Sequence, residues 1–189
     1  MDGPSFFTEY INETHELHKI IDYFKPDTEF SNNMEEFDRK DLLEIGKNYM
    51  KKKGYNNFIN DDYKNCINSS LIEHSVYNVD GETFSPFCQH ADDNGGIDGC
   101  VNTLILYYRF SKDVVGGNLS IFFDTPVPFE ITEPTKITIM TQQIIVDPRP
   151  RQYKICVLCI RGDIKHDIEP MHGCGKRCCV VLQYPCERK

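Results

Sequence analysis

VNTLILYYRF, Val101–Phe110, sets the terms on which this chain is read. It has no Gly or Pro, and its β-branched and aromatic side chains suit a strand. Runs of the same kind recur at Leu71–Val79, Phe84–Gln89, Asn118–Phe123, Lys136–Val146, Tyr153–Ile160 and Arg177–Tyr184, separated by Gly, Pro and Asp. Several short strands with this punctuation predict a sandwich or barrel rather than alternating β-α units.

Upstream of Leu71 the pattern differs. Phe6, Tyr10, Leu17, Ile21 and Phe24 recur at three- and four-residue spacing, with Thr14 the one polar member, and Phe7, Ile11 and Ile20 widen the stripe. This predicts a helix stopped by Pro26. A second helix is expected over Met34–Lys52, with Phe37, Leu42, Leu43, Ile45 and Tyr49 as its apolar stripe and Gly54 terminating it. Asn56–Ser70 is rich in Asn, Asp and Ser and reads as a loop. The expected architecture is α+β and one compact domain. Residues 1–70 form a helical extension packed on one face of a β-rich core over residues 71–189.

The 189 residues suffice to bury a real core, and 40% hydrophobic with 26% charged residues is ordinary for a globular protein. A net charge of -8 argues against a broad nucleic-acid surface. No apolar stretch approaches the roughly 20 residues that span a bilayer. The start, MDGPSFFTEY, carries no secretory signal, so a cytoplasmic location is expected. The nine cysteines, an odd number, are then expected as reduced thiols.

Three residues suggest chemistry. His90 and Asp92 are two apart, so at a strand's end both project to one face, whereas Asp93 is expected on the other. His166 follows the apolar run Ile155–Ile160 and a Gly162-Asp163 turn. Two imidazoles and one carboxylate on one face of an octahedral metal leave three positions open, as non-heme Fe(II) oxygenases require. Arg177 lies downstream in HDIEPMHGCGKR, on a strand face shared with Cys179, Val181 and Gln183. Its planar fork suits a carboxylate, as a dicarboxylic co-substrate would offer.

The ordered set of motifs resembles the Fe(II)- and 2-oxoglutarate-dependent dioxygenases, nearest to the prolyl hydroxylase branch, including its oxygen-sensing type. It comprises Tyr77, His90-Ala-Asp92, the loop from Asp93 to Gly99, Leu104-Ile-Leu-Tyr-Tyr108, Gly116-Gly-Asn-Leu119, His166-Asp-Ile-Glu-Pro170 and Arg177. The resemblance implies a double-stranded β-helix (jelly-roll) core with the N-terminal helices on one face. It implies Fe(II) held by His90, Asp92 and His166, with 2-oxoglutarate and O2 taking the open positions. Arg177 would pair with the distal carboxylate of 2-oxoglutarate. Tyr108 would donate to the same group, with Tyr107 the alternative because the register is not fixed by sequence. Tyr77 would also face the co-substrate. The implied substrate is a peptide or protein, hydroxylated at proline, lying across the barrel mouth between the Asp92–Gly99 loop and the stretch Phe129–Tyr153. The chain departs from the family's pattern at Cys159 and Ile160, where Phe or Trp is usual, and in the length of Phe129–Tyr153.

Competing readings rest on other residues. A structural zinc module could draw on Cys156, Cys159, His166, His172, Cys174, Cys178 and Cys179. If Ile155–Ile160 is a strand, however, Cys156 and Cys159 point to opposite faces. A jelly roll that only binds, and a thiol enzyme, are further alternatives. His15 and His18 lack a third ligand nearby and read as residues of an amphipathic helix.

Overall fold

The computed structural model describes residues 4–24, 40–59, 68–77, 89–93, 100–123, 129–131, 137–140, 143–150 and 154–187. In chain order the elements are β1 (Phe6–Asn12), α1 (His18–Phe24), α2 (Lys40–Lys52), β2 (Asn68–Tyr77), β3 (Cys100–Phe110), β4 (Val114–Gly116) and β5 (Leu119–Phe122). They continue as β6 (Phe129–Ile131), β7 (Ile137–Met140), β8 (Gln143–Val146), β9 (Lys154–Arg161), β10 (Lys165–Ile168) and β11 (Met171–Cys186). The protein is α+β and dominated by antiparallel sheet. One sheet runs β2-β11-β3-β9-β1-β6 with β4 added to β11, and a second runs β10-β5-β8-β7. Only the β1–β6 pairing among the described strands is parallel.

The large sheet is buried on both faces, which explains why its strands read as nearly continuous apolar runs. Leu104 and Leu106 of β3, Val157 and Cys159 of β9, and Val180 and Leu182 of β11 face a core shared with Ile20 and Ile21 of α1 and Leu42 and Met50 of α2. Ile105 and Tyr107, Cys156 and Leu158, and Cys179 and Val181 face the opposite core. There they meet Leu119 and Ile121 of β5, Ile144 and Val146 of β8, and Ile168 of β10. The layers are therefore helices, large sheet and small sheet. No helix among the described residues is long and apolar enough to cross a membrane.

The first predicted helix is only partly one. Phe6–Asn12 is a strand paired with β9 along its whole length, and the helix begins at His18. A spacing of four is common to both periods: Phe6 and Tyr10 share a face in a helix and in a strand alike. Phe7 and Ile11 form the strand's other face, not the edge of a helical stripe, and pack under the helices. The sheet thus takes in the N-terminal segment, and β1 lies between β9 and β6. The second helix is described from Lys40 to Lys52, with Asp41 in its first turn and Lys51 and Lys52 in its last, charges that suit the helix dipole. Gly54 adopts φ 93° just beyond it, as a helix terminator does. Its predicted first turns, residues 34–39, lie outside the described residues, as do residues 84–88 of the predicted strand Phe84–Gln89.

Other boundaries shift. Lys136–Val146 is two strands, β7 and β8, paired antiparallel. The predicted strand Arg177–Tyr184 is the inner part of β11, which spans sixteen residues. β2 begins at Asn68, inside the predicted loop.

Candidate metal centre

His90 and His166 are brought face to face by the backbone. The His90 N–H donates to the His166 carbonyl at 2.9 Å, and the His166 N–H returns a bond to the His90 carbonyl at 2.8 Å. This reciprocal pair makes the short segment at His90 an extra rung beside β10 and sets the imidazoles on one side of it. Their ring centroids lie 4.5 Å apart. Asp92, two residues on, joins them: its Oδ1 is 3.7 Å from His90 Nε2 and 3.8 Å from His166 Nε2. His90, Asp92 and His166 form the one group of three potential metal ligands among the described residues, with donor atoms within 4.8 Å of one another.

The donor chemistry fits a divalent cation. His166 Nδ1 lies 3.0 Å from the Ile164 carbonyl, so that nitrogen carries the proton and Nε2 presents a lone pair to the cluster. Asp92 Oδ2 accepts a hydrogen bond from the Thr103 hydroxyl, which turns Oδ1 toward both histidines. Burial holds His166 below the ordinary imidazole value, although the Asp92 charge and the Ile164 carbonyl act to raise it. A neutral imidazole is the form a metal takes. Donors about 2.1 Å from an ion and at right angles to one another sit about 3.0 Å apart. The observed 3.7 and 3.8 Å to Asp92, and separations of up to 4.8 Å within the group, therefore ask the donors to close by about 1–2 Å. The His90 side chain is 36% exposed against 8% for Asp92 and His166, so the centre opens to solvent on the His90 side.

Asp93 is not part of the cluster. Its Oδ1 accepts the Val101 N–H at 2.8 Å, away from the two imidazoles. The zinc alternative loses its half-site, because Cys156 and Cys159 lie in the two different cores. His15 packs edge-on against Tyr49 with its Nδ1 bonded to the Leu17 N–H.

From the triad a cavity of about 160 Å³ runs inward between the sheets. β3 contributes Thr103, Ile105 and Tyr107, and β11 contributes Gln183, Val181, Cys179 and Arg177, each strand with alternate residues. Cross-strand pairing matches them: Gln183 with Thr103, Val181 with Ile105 and Cys179 with Tyr107. Arg177 is fully buried. Its Nη2 donates to the Tyr107 hydroxyl at 2.8 Å and its Nε to the Gly117 carbonyl at 3.2 Å, with the guanidinium 4.8 Å from the Tyr107 ring centre. Burial drives the Tyr107 phenol well above its ordinary range, outweighing the pull of Arg177, so it keeps its proton. Its oxygen accepts from Arg177 and its O–H can donate to an anion in the cavity.

The preference for Tyr108 over Tyr107 is therefore reversed. Tyr107 lines the cavity, while Tyr108 packs against the core under the helices. Even spacing from Thr103 and Ile105 puts Tyr107 on the cavity face, and Tyr108 is the extra residue of a bulge, since Cys178 pairs with Arg109 but Cys179 with Tyr107. Tyr77 lies at the end of β2 opposite Cys174, and its side chain is outside the described residues.

Two contributors escaped the sequence reading. Thr103 had a legible signal, since it shares the even spacing of Ile105 and Tyr107 on one strand face. Arg149 had none. From the Pro-punctuated segment it donates to Asn118 Oδ1 at 3.0 Å, Asp147 Oδ1 at 2.8 Å, the Val114 carbonyl at 3.2 Å and the Gly116 carbonyl at 2.7 Å. It thereby staples the Gly116-Gly117 turn whose carbonyl receives Arg177. Both glycines have positive φ, 78° and 73°, and a Cβ on Gly116 would fall 2.0 Å from the Pro170 carbonyl oxygen. No known family model matches the chain, and no characterised protein sequence matches it either.

Proposed function

We propose that the protein is an Fe(II)- and 2-oxoglutarate-dependent dioxygenase with a double-stranded β-helix core, acting on a peptide or protein, most closely a prolyl hydroxylase. One observation carries this reading: a His-Asp-His cluster and a buried, tyrosine-bonded arginine line a single small cavity. Two facing sheets with that cavity between them support the core assignment, as does the order of motifs that resembles the prolyl hydroxylase branch.

His90, Asp92 and His166 would hold the iron and leave positions open on its cavity side. When bound, iron with 2-oxoglutarate and O2 supplies the oxidation of an unactivated C–H bond, and the co-substrate leaves as succinate and CO2. The chain's own residues bind and orient. Arg177 offers a fixed cation whose burial strengthens its grip on a carboxylate, and Tyr107 adds a neutral donor beside it. Thr103 and Tyr107 are four residues apart on β3, about 13 Å along the strand. A five-carbon diacid would lie in the cavity between them, one end at the triad and the other at Arg177. Ile105, Leu119, Ile168 and Val181 exclude water between the two ends.

The cavity volume bears on the substrate. At about 160 Å³ it is well below the roughly 300–1,000 Å³ of sites that enclose a larger ligand. It suits a small co-substrate, and a peptide would lie outside, across the mouth where His90 meets solvent. The test is metal analysis, with succinate measured after adding Fe(II), 2-oxoglutarate and a proline-rich peptide library. The expected results are stoichiometric iron, succinate, and a peptide heavier by one oxygen. Arg177→Ala should lower 2-oxoglutarate affinity by about tenfold or more while metal content is kept. A chain that binds metal but releases no succinate and shows equal 2-oxoglutarate affinity with and without Arg177 would sink the reading.

A further inference from the structure

We propose that Asp93 is a positioning residue for the metal centre: with Val101 and Gly162 it closes a clasp that fixes the His90–Asp92 segment against the turn leading to His166. The inference rests on the metal-binding reading of the triad. The clasp is a ring of three hydrogen bonds. Val101 N–H donates to Asp93 Oδ1 at 2.8 Å, Asp93 N–H to the Gly162 carbonyl at 3.0 Å, and Gly162 N–H to the Val101 carbonyl at 2.8 Å.

Each corner has a distinct consequence. Asp93 is covalently next to the ligand Asp92, so holding it fixes where that carboxylate starts. Val101 opens β3, the strand whose Thr103 hydroxyl orients Asp92 from the other side. Gly162 lies in the turn after β9, two residues before Ile164, whose carbonyl holds His166 Nδ1. The two halves of the triad are more than seventy residues apart in sequence. The clasp ties their supports together one residue from Asp92 and four from His166.

Gly162 is also sterically committed. A Cβ there would fall 2.2 Å from Asp93 Oδ1 and 2.7 Å from the Val101 carbonyl oxygen. The Asp-Asp doublet after His90 thus divides its labour. A second carboxylate beside a cation site would compete as a ligand, and the Val101 N–H engages it on the opposite side of the chain.

The experiment is a Co(II) titration of the full chain, followed by the visible absorption of the bound ion, at a temperature where unfolding curves show every variant folded. Asp93→Ala removes the acceptor and should raise the Co(II) dissociation constant about ten- to hundredfold, the usual cost of losing a partner behind a ligand. Asp93→Asn keeps an oxygen that can accept from Val101 and should restore affinity close to wild type. Gly162→Ala breaks the same ring from the other side and should weaken Co(II) as Asp93→Ala does, which covers the case in which Asp93→Ala does not fold. Wild-type Co(II) affinity in both Asp93→Ala and Gly162→Ala would overturn the inference and leave the metal centre standing. Affinity lost equally in Asp93→Asn would also overturn it, because the carboxylate would then act as a ligand or charge. A wild-type chain that takes up no Co(II) would overturn the metal centre itself and the inference with it.

Discussion

Replacing Tyr107 by Phe is the most informative single change, because it deletes one oxygen at the meeting point of fold and site. That oxygen is 2.8 Å from Arg177 Nη2, and both residues are at most 1% exposed. Water cannot replace the lost partner at either position without entering the cavity. A hydrogen bond to a charged group contributes about 1.5–3 kcal/mol. For a chain of this size each kcal/mol moves the midpoint by about 2–4 °C, so the thermal midpoint should fall by roughly 3–12 °C. The ring remains, and with it the contact to the guanidinium 4.8 Å from its centre, so the fold should survive. In the metal-loaded chain, 2-oxoglutarate measured by calorimetry should bind about tenfold more weakly, since 1.4 kcal/mol is a factor of ten. Tyr108→Phe is the matched control. Its ring packs under the helices, so co-substrate affinity should be untouched. If Tyr108→Phe weakened the co-substrate and Tyr107→Phe did not, the assignment of faces would be wrong. If Tyr107→Phe changed neither stability nor affinity, Arg177 would not depend on the phenol.

Three further outcomes are expected. His166→Ala should raise the dissociation constant for a divalent metal beyond the roughly 100-fold that outer partners reach, whereas Cys156→Ser should leave it unchanged in the same titration. Burial pushes the Cys179 thiol up to about 11, ahead of the opposing pull of Arg177. Its thiolate is therefore scarce at neutral pH and grows as pH rises toward that value, so mass spectrometry after alkylation at neutral pH should find exposed Cys174 modified well before Cys179. Arg149→Met should loosen the Gly116-Gly117 turn, seen as faster amide exchange there and a stability loss of about 1–3 kcal/mol, with metal affinity preserved.

The candidate ligand set was legible in the sequence sooner than the fold around it. The two-residue spacing of His90 and Asp92 anticipated their meeting, although His90 forms an isolated bridge and Asp92 and Asp93 lie in a turn, so the turn and not strand parity aims Asp93 at the Val101 N–H. Strand parity did separate Cys156 from Cys159. The choice between Tyr107 and Tyr108 stayed open for want of a register, because a bulge adds one residue on the Arg177 side of Tyr107 and swaps the faces beyond it. Nothing in Leu104–Phe110 announces that Tyr108 is the extra residue. The bulge arises from how β11 pairs with β3, a long-range fact. The N-terminal segment failed for a related reason. Phe6, Tyr10, Phe7 and Ile11 fit a helix by spacing, and only the partner β9, some 150 residues away, decides that they form a strand.

That contrast bears on how the centre is built. Its three candidate ligands come from two places in the chain, and the supports behind Asp92 converge on one end of β3, while His166 is held by the Ile164 carbonyl and His90 by the His166 backbone. Thr103 turns Asp92, Val101 donates to Asp93 and accepts from Gly162, and further along the same strand Tyr107 holds Arg177. β3 is the central strand between β9 and β11, buried on both faces, and therefore among the last parts of the sheet to open. A metal and an acid bound at its two ends would both be referenced to one rigid element. Their relative position then follows from strand geometry rather than from loops, and a precise site needs such a frame. Gly116-Gly117 and Arg149 form the other wall against which Arg177 is fixed. Loosening that wall should blur co-substrate binding and leave the metal unaffected, whereas loosening the clasp at Asp93 should do the opposite.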